Sequence, residues 1–201
     1  PKKLNFDIKN FLKFKDKINY IVVEKQPPNI LTEKKEDNKN LISEKKIINS
    51  IRRDNYQRNQ IMSGLDKAKD DDCILISDLD EIPNLKNFDV SKVKNKLYFF
   101  KQKMFYYKFN LFYKDFIWYG SKAVKKKNFY SPQWLRNIKS KKYSFWRVDT
   151  HFSKKKYNNI KFIENGGWHF TCIKSPEEVH KKLLSYLHHH SNLHPLHKES
   201  D

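Results

Sequence analysis

The spacing of hydrophobic positions changes along the first part of the chain. Residues 4–24 begin with an apolar-periodic segment and end in the β-branched run INYIVVE, which predicts a strand that ends at Glu24. The segment KQPPN breaks this strand, and residues 32–46 are typical of a lysine-rich loop or helix start. A helical period over residues 47–68 then predicts a helix, with one stripe formed by Ile48, Ile51, Asn55, Arg58, Met62 and Leu65.

Strand-like segments follow this helix. The run CILIS at residues 73–77 predicts a short buried strand. Residues 97–119 are rich in aromatic side chains and predict strands joined in a hairpin, because aromatic residues favour the pleated sheet surface. Residues 121–160 are basic and are predicted to be irregular.

Residues near the end of the sequence predict the start of a second helix. Ser175 is suited to the N-cap, Pro176 to the first helical position, and Glu178 to the return hydrogen bond of a capping box. Together with the alternation of helix and strand in the first half, this predicts an α/β fold in a single domain over residues 1–201.

The composition is strongly basic, with a formal net charge of +19. Most of the basic residues are lysines, whereas arginine is the residue that reads bases through paired hydrogen bonds. The charge is therefore best interpreted as lysines on solvated surfaces, with a polyanion-binding site as the alternative, and we expect no nucleic-acid partner.

Cys73 and Cys172 have no metal-ligand spacing, which favours two reduced, packed thiols over a disulfide. No run is apolar enough for a membrane segment.

The sequence SDLDEIP places carboxylates directly after the predicted buried strand. If the strand continues, Asp78 and Asp80 project from the same face because side chains alternate along a strand. Two adjacent carboxylates repel each other unless a cation or a proton lies between them, and Mn²⁺ or Mg²⁺ is a suitable cation. A solvated turn is the alternative, since Asp, Asn and Pro commonly end strands.

Arg58 supports a charged site. It falls on the stripe of the preceding helix, where a buried guanidinium needs a carboxylate or a phosphate as its partner. The alternative is an arginine whose stem follows the apolar surface and whose charged end reaches water.

Two blocks of the sequence, SDLDEIP and ENGGWHF, resemble glycosyltransferase family 17 and occur in the order found there. The preceding NYQRNQIMSGL and the following TCIKSPEEVHKKLLSYLHH extend the resemblance over most of the chain, with a loose match over 97–160. The resemblance implies a GT-A-like mixed sheet with flanking helices. It also implies that the first strand and its nucleotide-binding loop belong before Pro1, so that the chain is N-terminally incomplete.

The resemblance further implies an inverting transfer of a sugar, GlcNAc in the family's known members, from a UDP-sugar donor to a glycan or glycoprotein acceptor. Mn²⁺ or Mg²⁺ would be the metal. Asp78, Asp80 and His169 would be metal ligands. Residues that would bind the donor are Arg58, Asn59, Asp78, Trp168 and His188.

An inverting transfer needs a carboxylate that accepts the proton of the acceptor hydroxyl. The candidates are Glu164, Glu81 and Asp149. Glu164 is preferred because it precedes two glycines that would allow the backbone to approach a ligand closely. Strand alternation points Glu81 away from Asp78 and Asp80.

Two other function classes stay open at this stage. A phosphatase of the haloacid dehalogenase type also places two aspartates at the end of an apolar strand, although Ile82 departs from its pattern. A basic nucleic-acid-binding module would explain the charge but not the carboxylates. The compartment is open as well: the protein would be cytoplasmic if its source is microbial or viral, or would lie in the Golgi lumen if an anchor has been removed.

Overall fold

The computed structural model describes residues 6–140, 144, 146, 147, 153 and 159–184. Its α-helices are α1 (Lys39–Asn59), α2 (Pro132–Asn137) and α3 (Pro176–Leu184). Its strands are β1 (Cys73–Ile76), β2 (Glu81–Pro83), β3 (Leu97–Phe100), β4 (Gln102–Tyr106), β5 (Phe112–Trp118), β6 (Lys122–Lys125), β7 (Ile160–Ile163) and β8 (Gly167–Thr171). Short 3-10 helices are Ile8–Lys17, Gln60–Leu65, Leu85–Asn87, Val90–Lys92 and Lys126–Asn128. The predicted α/β class is confirmed.

The strands form two mixed sheets. The first sheet has the order β1-β6-β3-β7, in which β3 and β7 are parallel and the other neighbours antiparallel. The second has the order β2-β8-β4-β5, in which β4 and β8 are parallel and the other neighbours antiparallel. Four pairs of consecutive strands joined by short connections are divided between the sheets: β1 and β2, β3 and β4, β5 and β6, and β7 and β8. The short connections within these pairs therefore lie where the sheets meet.

The main hydrophobic core covers the first sheet. Leu97 and Phe99 of β3, Val124 of β6 and Leu135 of α2 are completely buried there. The prediction that residues 121–160 are irregular is therefore wrong for β6 and α2. The motif KAVK of β6 hides its strand character, because its lysines flank the buried pair Ala123 and Val124.

The helix predicted over residues 47–68 is α1, but it begins earlier and ends earlier. Asn38 caps it, with its side chain accepting a hydrogen bond from the Leu41 backbone at 2.9 Å. The predicted stripe is buried only in part, since Ile48 and Ile51 are exposed whereas Met62 and Leu65, in the 3-10 helix that follows α1, pack against the core. The buried residue of α1 is Asn49, whose amide bonds both the N–H and the C=O of Leu31 at 2.8 Å.

Residues 18–24 do not form the predicted strand. Their burial still alternates, with Ile21 and Val23 half-buried and Tyr20 and Val22 exposed. A β-branched run favours extended backbone, but a strand also needs a neighbouring strand to bond its N–H and C=O groups. The sheets of the described residues provide no neighbour for this segment.

Two other predictions are confirmed. Residues 97–119 contain the antiparallel β4–β5 hairpin, whose register shifts between Lys103 and Met104. Helix α3 begins with the predicted capping box. In it Ser175 Oγ accepts from the Glu178 backbone at 3.3 Å, and Glu178 Oε2 accepts from the Ser175 backbone at 3.2 Å.

Candidate functional site

The candidate site is the connection between β1 and β2, which contains Asp78 and Asp80. Strand β1 ends at Ile76, and the Glu81 N–H donates to the Asp78 carbonyl at 3.0 Å, so these aspartates belong to a turn. The expectation that strand alternation holds both carboxylates on one face is therefore wrong. Each carboxylate instead faces a different set of partners.

Asp78 lies between two arginines. Arg136 of α2 donates from Nη2 to Asp78 Oδ2 at 2.6 Å, and Arg58 Nε is 3.9 Å from Asp78 Oδ1. The sequence-based expectation that Arg58 has an anionic partner is thus confirmed. A carboxylate whose two oxygens face guanidinium groups is a poor ligand for a further cation, because the cations repel each other.

The neighbouring Arg58–Asn59 pair joins α1 to α2. Asn59 Oδ1 accepts from the Gln133 backbone at 3.1 Å, and Arg58 Nη1 donates to Gln133 Oε1. Asn59 is therefore placed as a structural contact between helices, with its side-chain oxygen already used.

Asp80 faces His169 of β8. The carboxylate is 44% exposed, and its Oδ1 is 3.7 Å from His169 Nδ1. His169 is buried, and its Nδ1 has no hydrogen-bond partner among the described residues. The His169 ring stacks on Trp118 with centroids 4.6 Å apart. An imidazole nitrogen without a hydrogen bond and a half-exposed carboxylate beside it are a pair of ligands that suits a divalent metal ion.

Asp80 and His169 are adjacent because β2 pairs with β8. The register sets Glu81 opposite His169, and the Phe170 N–H donates to the Asp80 carbonyl at 2.9 Å. The described residues contain no group of three or more His, Cys, Asp or Glu side chains arranged for a metal. Further ligands would have to come from solvent or from a bound substrate.

Glu81 is completely buried, with 0% of its side chain exposed. Its Oε1 accepts from Trp118 Nε1 at 2.8 Å and from Arg136 Nη1 at 2.9 Å. Its Oε2 accepts from the Asp78 backbone at 3.0 Å. Strand alternation predicted that Glu81 points away from Asp78 and Asp80, but its carboxylate binds the Asp78 N–H and shares Arg136 with the Asp78 carboxylate. A carboxylate paired in this way is not available to accept a proton from a bound substrate.

The other sequence candidates lie away from Asp80. Glu164 pairs with Lys101 at 2.5 Å and sits in the β7–β8 turn before β8 begins, whereas the Asp80 carbonyl bonds Phe170 near the other end of that strand. The glycines that follow it allow close approach of backbone, not of a ligand, since a Cβ on Gly167 would lie 2.0 Å from the Ile82 carbonyl oxygen. Trp168 is on the opposite face of β8 from His169, by strand alternation. Asp149 and His188 lie outside the described residues.

A cleft of about 330 Å³ borders the turn. It lies between the end of α1 and the segment that contains Ile21 and Val23, and both Arg58 and Asp78 line it. Its walls combine apolar side chains with the guanidinium of Arg58 and the carboxylates of Asp54 and Asp78, and a mixed apolar and polar lining is typical of small-molecule sites.

Lys122 holds α2, and thus Arg136, in place. Its ammonium group donates to the carbonyls of Arg136 at 2.7 Å and Ile138 at 2.6 Å, at the carboxyl end of the helix. The pKa of Lys122 is lowered from 10.5 to about 8, chiefly by burial and also by the charge of Arg136, while the charge of Glu81 opposes the shift.

This pKa predicts a pH dependence of stability. From about 8 to 10.5 the unfolded chain holds a proton on Lys122 that the folded chain has lost, so the free energy of unfolding gained from this group rises with pH. Below about pH 8 Lys122 is charged in the folded protein, and the full cost of burying that charge lowers the free energy of unfolding. Relative to a Lys122→Met variant, we expect the wild type to gain roughly 1–3 kcal/mol across the window, measured by urea unfolding at a series of pH values. A constant difference between the two proteins would contradict the prediction.

Sequence reasoning missed Arg136 and Trp118, the two side chains that surround Glu81. A signal for Arg136 was present, because arginine is rare in this lysine-rich chain. An arginine retained against such a background marks a place where a planar, forked donor is needed. Trp118 gave no separate signal, since it ends an aromatic-rich run.

Comparisons of the chain with protein-family models, with curated proteins and with solved structures find no match. Among the residues that the structure describes, no helix combines the length and the apolar character needed to cross a bilayer.

Proposed function

We propose that this chain is a metal-dependent, inverting glycosyltransferase of the family 17 type with a GT-A-like fold. It would move a sugar, GlcNAc by the family resemblance, from a UDP-sugar to a glycan acceptor. The observation that carries the proposal is the Asp80–His169 pair, a half-exposed carboxylate next to a buried imidazole nitrogen that lacks a hydrogen bond. Both residues belong to the two sequence blocks on which the family resemblance depends.

The residues present fit a divalent metal in part. Asp80 and His169 would hold Mn²⁺ or Mg²⁺, while Asp78 is engaged by Arg136 and Arg58. Such ions commonly take few protein ligands and complete their coordination with water and substrate phosphates. When bound, the metal would stabilise the negative charge that builds on the departing diphosphate.

The guanidinium of Arg58 supports the proposal that the sugar-donor substrate is an anion. Arg58 lines the cleft, and because its Nε faces Asp78 and its Nη1 donates to Gln133, its Nη2 is the nitrogen with which it would bind a diphosphate. Arg136 is committed to two carboxylates and contributes positive field without direct contact. The net charge of +19 would attract a nucleotide sugar over a longer range.

Two of the sequence candidates for the proton acceptor are less suited to the role by their contacts. Glu81 is buried against Arg136, and Glu164 lies in the turn before β8 in contact with Lys101. We therefore keep Asp149 as the candidate base. The exposed aromatic side chains of β5 and Trp168 offer rings on which an acceptor sugar could stack.

The two rival classes receive less support. A phosphatase of the haloacid dehalogenase type would use Asp78 as its nucleophile, but both oxygens of that carboxylate face arginines. A nucleic-acid-binding module would not explain why Asp80 and His169 face each other at the sheet junction.

The test is release of UDP from a panel of UDP-sugars, with and without a glycan acceptor. We expect release that requires Mn²⁺ and is lost on chelation, with UDP-GlcNAc as the preferred donor. Parallel assays on a generic phosphate ester and on labelled DNA address the rival classes. Ester hydrolysis without UDP release would contradict the proposal.

A further inference from the structure

The inference concerns Glu81, a charged side chain buried where the two sheets meet. Three groups donate to its carboxylate: the indole N–H of Trp118, the guanidinium of Arg136 and the backbone N–H of Asp78. Ser121 Oγ lies 3.5 Å from Oε2 as a weaker contact. A buried carboxylate is costly unless its lone pairs are satisfied in this way.

Two of these donors connect Glu81 to the two halves of the candidate site, which are Asp78 on one side and His169 with Asp80 on the other. Arg136 bridges Glu81 and Asp78, because its Nη2 donates to Asp78 Oδ2. Its Nη1 also donates to the Gly120 carbonyl at 2.6 Å. Trp118 contacts both Glu81 and His169, because its indole N–H donates to Glu81 and its ring stacks on the imidazole at an interplanar angle of 18°. The carboxylate therefore stands between the group that holds Asp78 and the group that orients His169.

The backbone is shaped to admit this carboxylate. Gly120 lies between β5 and β6, and a Cβ atom at that position would be 1.9 Å from Glu81 Oε1 and 2.1 Å from Trp118 Nε1. Only glycine leaves room for the Glu81–Trp118 hydrogen bond at that point. The arrangement thus involves β2, β5, α2 and the β5–β6 connection together.

We infer that Glu81 is a positioning residue that aligns both halves of the site, through Arg136 on one side and through Trp118 on the other. It fixes the Asp78–Asp80 turn by binding the Asp78 N–H, and it fixes the His169 ring by holding the indole on which that ring stacks. The inference rests on the proposed function, in which Asp80 and His169 hold a metal. It assigns Glu81 a role other than proton acceptor.

The test is Mn²⁺ affinity, measured by electron paramagnetic resonance of the free ion at a temperature where circular dichroism shows each protein folded. Trp118→Phe keeps an aromatic ring on the same strand but removes the indole N–H that Glu81 binds, together with part of the stacking area. Glu81→Gln keeps the shape and replaces one acceptor oxygen by a donor. We expect each variant to bind Mn²⁺ about 10- to 100-fold more weakly, as found when groups behind metal ligands are changed.

Val124→Ala is the matched control, because Val124 is completely buried in β6 and belongs to the core rather than the site. It should lower the melting temperature and leave the Mn²⁺ affinity unchanged. If the wild type binds Mn²⁺ and Trp118→Phe binds it equally well, the positioning role is overturned and the proposed function stands. If the wild type itself fails to bind Mn²⁺, the metal-dependent function and the inference are overturned together.

Discussion

Replacing Asp80 with asparagine is expected to abolish the stabilisation of this protein by Mn²⁺ plus UDP. The carboxylate is 44% exposed, and its nearest described partner is the unbonded His169 Nδ1, so little in the fold depends on its charge. Ligand at about 100 times its dissociation constant should stabilise the wild type by roughly 2.7 kcal/mol. The variant should lose this gain while its own stability stays within about 0.5 kcal/mol of the wild type.

The measurement is thermal unfolding of both proteins in buffer, with Mn²⁺, with UDP, and with the two together. Asp71→Asn is the matched control, because Asp71 is an exposed aspartate that pairs with Lys125 and Lys127 before β1. This control should respond to Mn²⁺ plus UDP as the wild type does. Equal stabilisation of wild type and Asp80→Asn would remove Asp80 from the metal site.

Replacing Arg136 with methionine is expected to produce the largest loss of stability among these variants. The change removes the cation that pairs with Glu81, whose side chain is fully buried, and leaves that charge uncompensated. Breaking a buried ion pair from one side costs about 3–5 kcal/mol. Arg136→Lys should be intermediate, because an ammonium group cannot present the forked donors that reach both Glu81 and Asp78.

Urea unfolding with extrapolation to water measures this loss. Arg53→Met is the control, since Arg53 is exposed on α1 and bonds Gln26 at the surface. That substitution should change the free energy of unfolding by less than about 0.5 kcal/mol. A loss for Arg136→Met no larger than that of the control would mean that the Glu81–Arg136 pair does not stabilise the fold.

Local features of the sequence predicted local structure well. The capping box at Ser175 and the apolar run of β1 depend on residues close together in the chain, and both are confirmed. The strand predicted over 18–24 fails for a different reason, because strand formation requires a partner that local propensity does not reveal. Strand β6 was missed because Lys122 is buried by its bonds to two carbonyls of another element.

The sequence by itself determined that two aspartates follow a buried strand and that a histidine-containing block comes later in the chain. Only the tertiary structure decided which cation or side chain each carboxylate meets. Arg136, which binds Asp78, lies 58 residues away along the chain, and the β2–β8 register that sets Glu81 opposite His169 joins segments that are still further apart in sequence. Such pairings depend on how the two sheets pack, because a carboxylate can accept bonds from any donor that the fold brings within reach.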